Sequence, residues 1–196
     1  TRSLVGRSDV YKRQLLNALV GEMNPAQRVL CVEDASELAP QHPQVVRLVA
    51  RAPNVEGVGE VPVRALVRQA LRMRPDRIIV GEVRGAEVID LLTALNTGHD
   101  GSAGTVHANS TAEVPARMEA LAALGGMNRD ALHSQLAAAL QVVLGVARTA
   151  DGDRGLVEIG LVSRGDDGLV RVAPMWLRHS GFTSAKAVFD ELVATR

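Results

Sequence analysis

Two short apolar runs in this chain end in acids. "RVLCVED" (28–34) closes on Glu33 and Asp34, and "DRIIVGE" (76–82) closes on Glu82. In open α/β sheets ligands sit beyond the carboxyl ends of the strands, so acids at such ends stand where a ligand's charged or reacting atoms would be met. The competing reading of each is a solvated loop residue or a helix cap, and for Glu82 an ion pair with Arg84. Two histidines, His99 and His107, follow in "LNTGHDGSAGTVHANS" (95–110). Zinc is disfavoured there, because the gap between them is not a helix-face spacing and no third ligand is near. For His99 a neutral, hydrogen-bonded structural role competes with a functional one. Arg64, Arg68 and Arg72 recur every four residues and form a basic stripe on one helix face. That stripe is either solvated or turned toward a subunit interface or an acidic partner. Gly57 and Gly59 make an isolated G-x-G, read as a turn.

The elements that must position these residues alternate between strand and helix, the pattern of an α/β domain. Strands are expected at 28–34, 44–51 and 76–82, and a short one around Ala103–Val106. A helix with Val63, Leu66, Val67, Ala70 and Leu71 on one face should be stopped by Pro75. A second runs through Val88, Leu91, Leu92 and Leu95 to near Gly98. "STAE" (110–113) fits a capping box, with Pro115 ill placed for a helix starting there. A helix from Arg129 to Leu140 has Asn128 as its cap, and 142–148 reads as a late strand. After Ala150 the alternation and the Gly-Asp-Asp-Gly turn at 165–168 predict an antiparallel hairpin, and "SAKAVFDELVAT" a closing helix.

Bulk properties narrow the function classes. The 196 residues carry 22 basic and 22 acidic side chains, so no net field recruits nucleic acid or a membrane. Aromatic residues are 2% of the chain, which leaves few platforms for stacking on bases. No apolar run reaches the roughly 20 residues that span a bilayer. Cys31 is the single cysteine and reads as a small core residue in a reducing compartment.

The words around the acids are similar to those of a known superfamily. "RPDRIIVGEVRGAE" (74–87) and "LNTGHDGSAGTVHANS" resemble the Walker B and histidine boxes of the type II and type IV secretion ATPases, and "RVLCVEDASEL" (28–38) resembles their Asp box. The wider match, including 42–77 and covering roughly residues 15 to 165, looks most like the tight-adherence pilus branch, CpaF-type. The resemblance implies a RecA-like P-loop NTPase core, truncated at its N-terminus, with a small C-terminal β-hairpin and helix. It implies ATP and Mg²⁺ as cofactors. Glu82 would orient or activate the attacking water, and Glu33 and Asp34 would hold Mg²⁺ through water. His107 would sense the γ-phosphate, supported by His99. Arg47 and Arg51 match positions from which an arginine of one subunit reaches its neighbour's nucleotide, a solvated surface position being the competing reading of each. Gly81 and Thr105 join Lys12, Asp34 and His99 as nucleotide-binding positions. The same resemblance implies a homo-hexamer, cytoplasmic and peripheral at the inner face of the cell membrane, docked on an inner-membrane secretion or pilus platform.

One motif is half present. In "VGRSDVYKRQLLNALVG" (5–21) the family's G-x-x-x-x-G-K-[ST] loop would place Gly6 at its first glycine and Lys12 at its lysine. Tyr11 then falls on the second glycine and Arg13 on the Ser/Thr. Tyrosine there blocks close approach to a phosphate, and arginine cannot ligate a cation. A degenerate loop, a chance register and a non-native segment are the three explanations. The reading adopted is the third: residues 1–14 are similar to translated adaptor sequence and replace the loop, 15–150 form the core, and 151–196 form the hairpin and helix subdomain. The chain is then expected to bind ATP poorly or not at all. A non-catalytic assembly subunit is the alternative function, and a nucleic-acid motor a third.

Overall fold

The computed structural model describes residues 8–149, 152 and 154–194. Gly6 and the rest of 1–7 therefore lie outside the described residues, as do residues 150, 151, 153, 195 and 196. The chain divides after Val106 into two compact units, Thr1–Val106 and His107–Arg196.

The first unit runs α1 (Ser8–Gly21), β1 (Val29–Glu33), β2 (Val45–Val49), α2 (Val63–Arg72), β3 (Arg77–Val80), α3 (Glu87–Leu95) and β4 (Ala103–Gly104). Its four strands form one parallel sheet in the order β2-β1-β3-β4. Every residue of β1 is buried, and in β3 Ile78, Ile79 and Val80 are too. Continuous apolar runs rather than alternation are what a parallel sheet covered on both faces requires. Val29, Cys31 and Ile79 pack with Leu16 and Val20 of α1 and with Leu38. Of the expected face of α2, Val67 and Ala70 are fully buried. That helix ends at Arg72, and Arg74 adopts a left-handed φ of 54° ahead of Pro75, as a stop at Pro75 anticipates.

The register sets the acids in place. Glu33 closes β1 opposite Val49 of β2, and Val32 lies opposite Val80 of β3. The Gly81 amide continues the ladder by donating to Val32 O at 2.9 Å, so Glu82 leaves the same end of the sheet as Glu33 and Asp34.

The second unit is α4 (Val114–Ala123), α5 (Arg129–Ala139), and an antiparallel sheet β5-β6-β7-β8 (Val142–Arg148, Arg154–Arg164, Val170–Leu177, Gly181–Phe182), followed by α6 (Lys186–Ala194). The β6–β7 turn is the expected one, with Gly168 at φ 77° and its amide donating to Gly165 O at 2.9 Å. Trp176 of β7 sits opposite Ile159 on one side and Phe182 on the other. Asn128 caps α5 through Oδ1, which accepts from the Ala131 amide at 2.8 Å. The capping box at 110–113 does not form. Ser110 makes no side-chain cap, residues 111–113 are a 3-10 turn, and Glu113 instead accepts from Asn109 Nδ2. The α-helix begins at Val114 with Pro115 in its first turn, where a missing N–H costs nothing.

His133 ties this unit together. It is 2% exposed, and its Nδ1 accepts from the Val170 amide of β7 at 2.8 Å. The proton is then on Nε2, which lies 2.7 Å from Glu119 Oε1 of α4. Burial by itself would raise the Glu119 carboxyl, but its bonds to His133 and Arg129 outweigh that and hold it below the ordinary glutamate range. A carboxyl lowered on folding stabilises the fold above its unfolded-state pKa and loses that contribution as the pH falls through the folded value. Glu119→Gln should therefore lower the urea midpoint near neutral pH, with the gap from the unsubstituted chain closing in acid. A gap independent of pH would contradict this pairing.

Cys31 offers a second check on the core. It is fully buried in β1, and desolvation, with Glu33 close by and only partly offset by Arg47, pushes its thiol up to about 12. A thiol reagent at mildly alkaline pH should leave the folded chain unmodified and label it stoichiometrically in urea.

Candidate functional site

The carboxyl ends of β1 and β3 carry three acids, and each is held differently. Glu33 is 2% exposed. Its Oε1 accepts from the Glu37 and Leu38 amides at 3.0 and 2.7 Å, because the chain turns back over the strand end immediately after it. Its Oε2 is buried without a hydrogen bond, and the nearest cation is Arg47 Nε at 4.0 Å. Arg47 also donates to Ser36 Oγ. Asp34 is exposed; Oδ1 accepts from the Ala35 amide and Oδ2 from Arg84 Nη1 at 3.1 Å.

Glu82 is buried, and Arg84 meets it bidentately, with Nε to Oε1 and Nη2 to Oε2 both 2.6 Å. The pair with Arg84 weighed from the sequence is thus present, and Arg84 joins Glu82 to Asp34 as well. Gly81 lies against Glu33: a Cβ there would come 3.0 Å from Glu33 Cγ. Thr105 fastens the adjacent segment, its Oγ1 donating to Gly81 O at 2.5 Å while the Val83 amide donates to Thr105 O at 2.7 Å. Glu33, Asp34, Gly81, Glu82, Thr105 and Arg47 are therefore brought into one neighbourhood.

Of the other expected site residues, Arg51, His99 and Lys12 make hydrogen bonds elsewhere. Arg51 closes the loop 51–61 by bridging to Val61, and its Nε donates to Gly59 O at 2.7 Å. His99 Nδ1 lies 3.2 Å from Ala94 O at the end of α3, in line with the structural reading. His107 is the exposed first residue of the second unit. Lys12 is inside α1, since the helix starts at Ser8, and its Nζ donates to Val106 O at 3.4 Å. Arg13 pairs with Glu37. Helical backbone thus runs through Tyr11, Lys12 and Arg13, and from Lys12 onward its amides are past the four that a helix start leaves free for a phosphate.

Two acids went unread in the sequence. Glu87 is buried at the start of α3, and its Oε1 accepts from the Arg84 and Gly85 amides at 2.6 and 2.8 Å. It thereby fixes the loop that carries Arg84. Its signal was an acid in the first turn of an apolar-periodic helix, where free amides accumulate. Asp90 gathers Arg64 and Arg68 at 2.8 and 2.7 Å, so two of the three arginines of the basic stripe are paired within the unit, one of their two charges being balanced.

The donors fit a hydrated divalent cation, being oxygens only, with one buried carboxylate oxygen of Glu33 lacking a hydrogen bond. Among the described residues no three His, Cys, Asp or Glu side chains converge to ligate a metal directly, so Mg²⁺ at Glu33 and Asp34 would keep its waters.

Residues 11–154 match the family model described as type II/IV secretion system protein. A candidate conjugal transfer protein of Mycobacterium tuberculosis is 60% identical over 191 residues, covering 97% of this chain and 54% of that protein. The type IV secretion system protein PtlH of Bordetella pertussis is 39% identical over 111 residues, 55% of this chain and 32% of PtlH. Among solved structures, the VirB11 ATPase of the Brucella suis type IV secretion system, in complex with sulphate, superposes with a TM-score of 0.66 at 29% identity, over 78% of this chain and 45% of VirB11. The chain thus spans about half the length of the Mycobacterium protein and less of the others.

Replacing Glu87 by Ala would orphan two loop amides. It should cost about 1–3 kcal/mol in urea denaturation and should increase hydrogen exchange at the Arg84 and Gly85 amides more than within α3.

Proposed function

Because the chain belongs to the type II/IV secretion system protein family and carries its RecA-like α/β core, we propose that it is the core of an ATP-hydrolysing secretion motor of the tight-adherence pilus branch. The observation that carries this is Glu82, a buried carboxylate beyond the end of β3, beside Glu33 and Asp34 at the end of β1. Phosphoryl transfer to water asks mainly for positioning and charge neutralisation. In this reading Glu82 orients the attacking water and accepts its proton. Glu33 and Asp34 hold Mg²⁺ through water, which supplies charge neutralisation at the phosphates. Gly81 and Thr105 fix the segment around Glu82, and His107, with His99, responds to the γ-phosphate. Arg47 and Arg51 act toward nucleotide on a neighbouring copy in a homo-hexamer. That hexamer would work in the cytoplasm against an inner-membrane platform to assemble pili or export substrate. Among the described residues no helix is long and apolar enough to cross a membrane.

A non-catalytic assembly subunit is the second reading, and one observation favours it. Tyr11, Lys12 and Arg13 lie in helical backbone, with Arg13 engaged by Glu37. A non-native segment 1–14 in place of a Gly-Lys-Ser/Thr loop would reconcile that observation with a motor; the family match reaching back to residue 11 counts against it.

The test uses both forms. The 196-residue chain should show no micromolar affinity in an ATP titration. Source DNA read across the Leu15 codon should reveal the loop, and the protein it encodes should hydrolyse ATP without nucleic acid. In that protein Glu82→Gln should lower kcat by about 100-fold or more. Confirmation of Tyr11, Lys12 and Arg13 in the genome, with no turnover, would replace the motor by the assembly subunit.

A further inference from the structure

Arg84 occupies the middle of the acidic neighbourhood as an internal cation. Its three guanidinium nitrogens are all engaged with carboxylates: Nε and Nη2 on Glu82, Nη1 on Asp34. The side chain is 58% exposed, whereas that of Glu82 is 3% exposed. The guanidinium therefore lies over the buried carboxylate from the solvent side. Its loop is set from below by Glu87, which accepts from the Arg84 amide. Glu33, with a buried oxygen lacking any hydrogen bond, packs on the residue preceding Glu82. Arg84 thus bonds two of the acids while balancing one of their two charges, and the third has an oxygen with no hydrogen bond, 4.0 Å from Arg47.

We propose that Arg84 is a latch over Glu82 and Asp34, closed when no divalent cation is present and opened when one displaces the guanidinium. This rests on the reading of Glu82 as the residue that handles the attacking water. With both Glu82 oxygens engaged by Arg84, that carboxylate has no oxygen left to take a hydrogen bond from an attacking water. Opening the latch frees one. A buried carboxylate without its partner is costly, so the latch also keeps the site stable before the cation arrives. Exposure of the arginine on its outer side lets it swing into solvent without unpacking the core.

The test is cation binding, which needs no nucleotide and is independent of ATP turnover. Mn²⁺ is titrated into the 196-residue chain and followed by electron paramagnetic resonance, with a thermal melt at each concentration. Arg84→Ala should bind Mn²⁺ about tenfold tighter than the unsubstituted chain or better, the scale of losing one bidentate charged competitor. Mn²⁺ should raise its melting temperature more. The gain should vanish in the double variant Glu82→Gln, Arg84→Ala. Should Arg84→Ala fail to fold, Arg84→Lys keeps the charge without the planar fork and should still bind Mn²⁺ tighter than the unsubstituted chain. A folded Arg84→Ala or Arg84→Lys with unchanged Mn²⁺ affinity overturns the latch, and so does a gain that survives Glu82→Gln. Failure of ATP hydrolysis in the loop-bearing protein, with the Mn²⁺ result as expected, would remove the motor reading and leave the latch standing.

Discussion

A carboxylate at the end of a fully buried strand has to be answered by donors, and the first unit is arranged around that requirement. At Glu33 the donors are backbone amides of Glu37 and Leu38, supplied by the chain turning back over the strand end. At Glu82 the donor is a guanidinium, and at Glu87 it is again backbone. The three solutions interlock, because Gly81 is pressed against Glu33 and the loop between Glu82 and Glu87 carries the arginine. Desolvation penalises an unpaired charge heavily, so these partners are conditions for the acids being where they are.

The sheet explains why the acids meet. Parallel pairing of β1 with β2 and β3 aligns the strands' carboxyl ends, and residues far apart in sequence leave the sheet side by side. Thr105 then binds the next segment to Gly81. Gly104 permits this close approach, since a Cβ there would come 3.1 Å from Leu91 and 3.3 Å from Val83.

Much of this was legible from the chain alone. The strands at β1 and β3 were readable because burial on both faces demands unbroken apolar runs, and the helix face of α2 because its period is 3.6 residues. The acids at strand ends followed from the same runs. What the sequence concealed was the partner of each charge. The stripe of Arg64, Arg68 and Arg72 reads as one surface, yet Asp90, on a different helix, takes up two of its members. Glu87 looked like another polar residue at a helix start, because nothing local says that the amides of Arg84 and Gly85 point at it. The capping box failed for a local reason, the proline at 115 being the stronger determinant of where α4 begins. Lys12 was assigned by counting along a loop pattern, and counting carries no information on whether the backbone is already helical there.

The scarcity of aromatic and sulfhydryl side chains has a practical side. The only tryptophan, Trp176, lies in the hairpin of the second unit, between Ile159 and Phe182, and the only cysteine lies in the central strand of the first. Each unit therefore holds one natural reporter and lacks the other. Indole emission follows the antiparallel sheet, thiol accessibility follows the parallel one, and the cooperativity of the two units is open to measurement without any label being introduced.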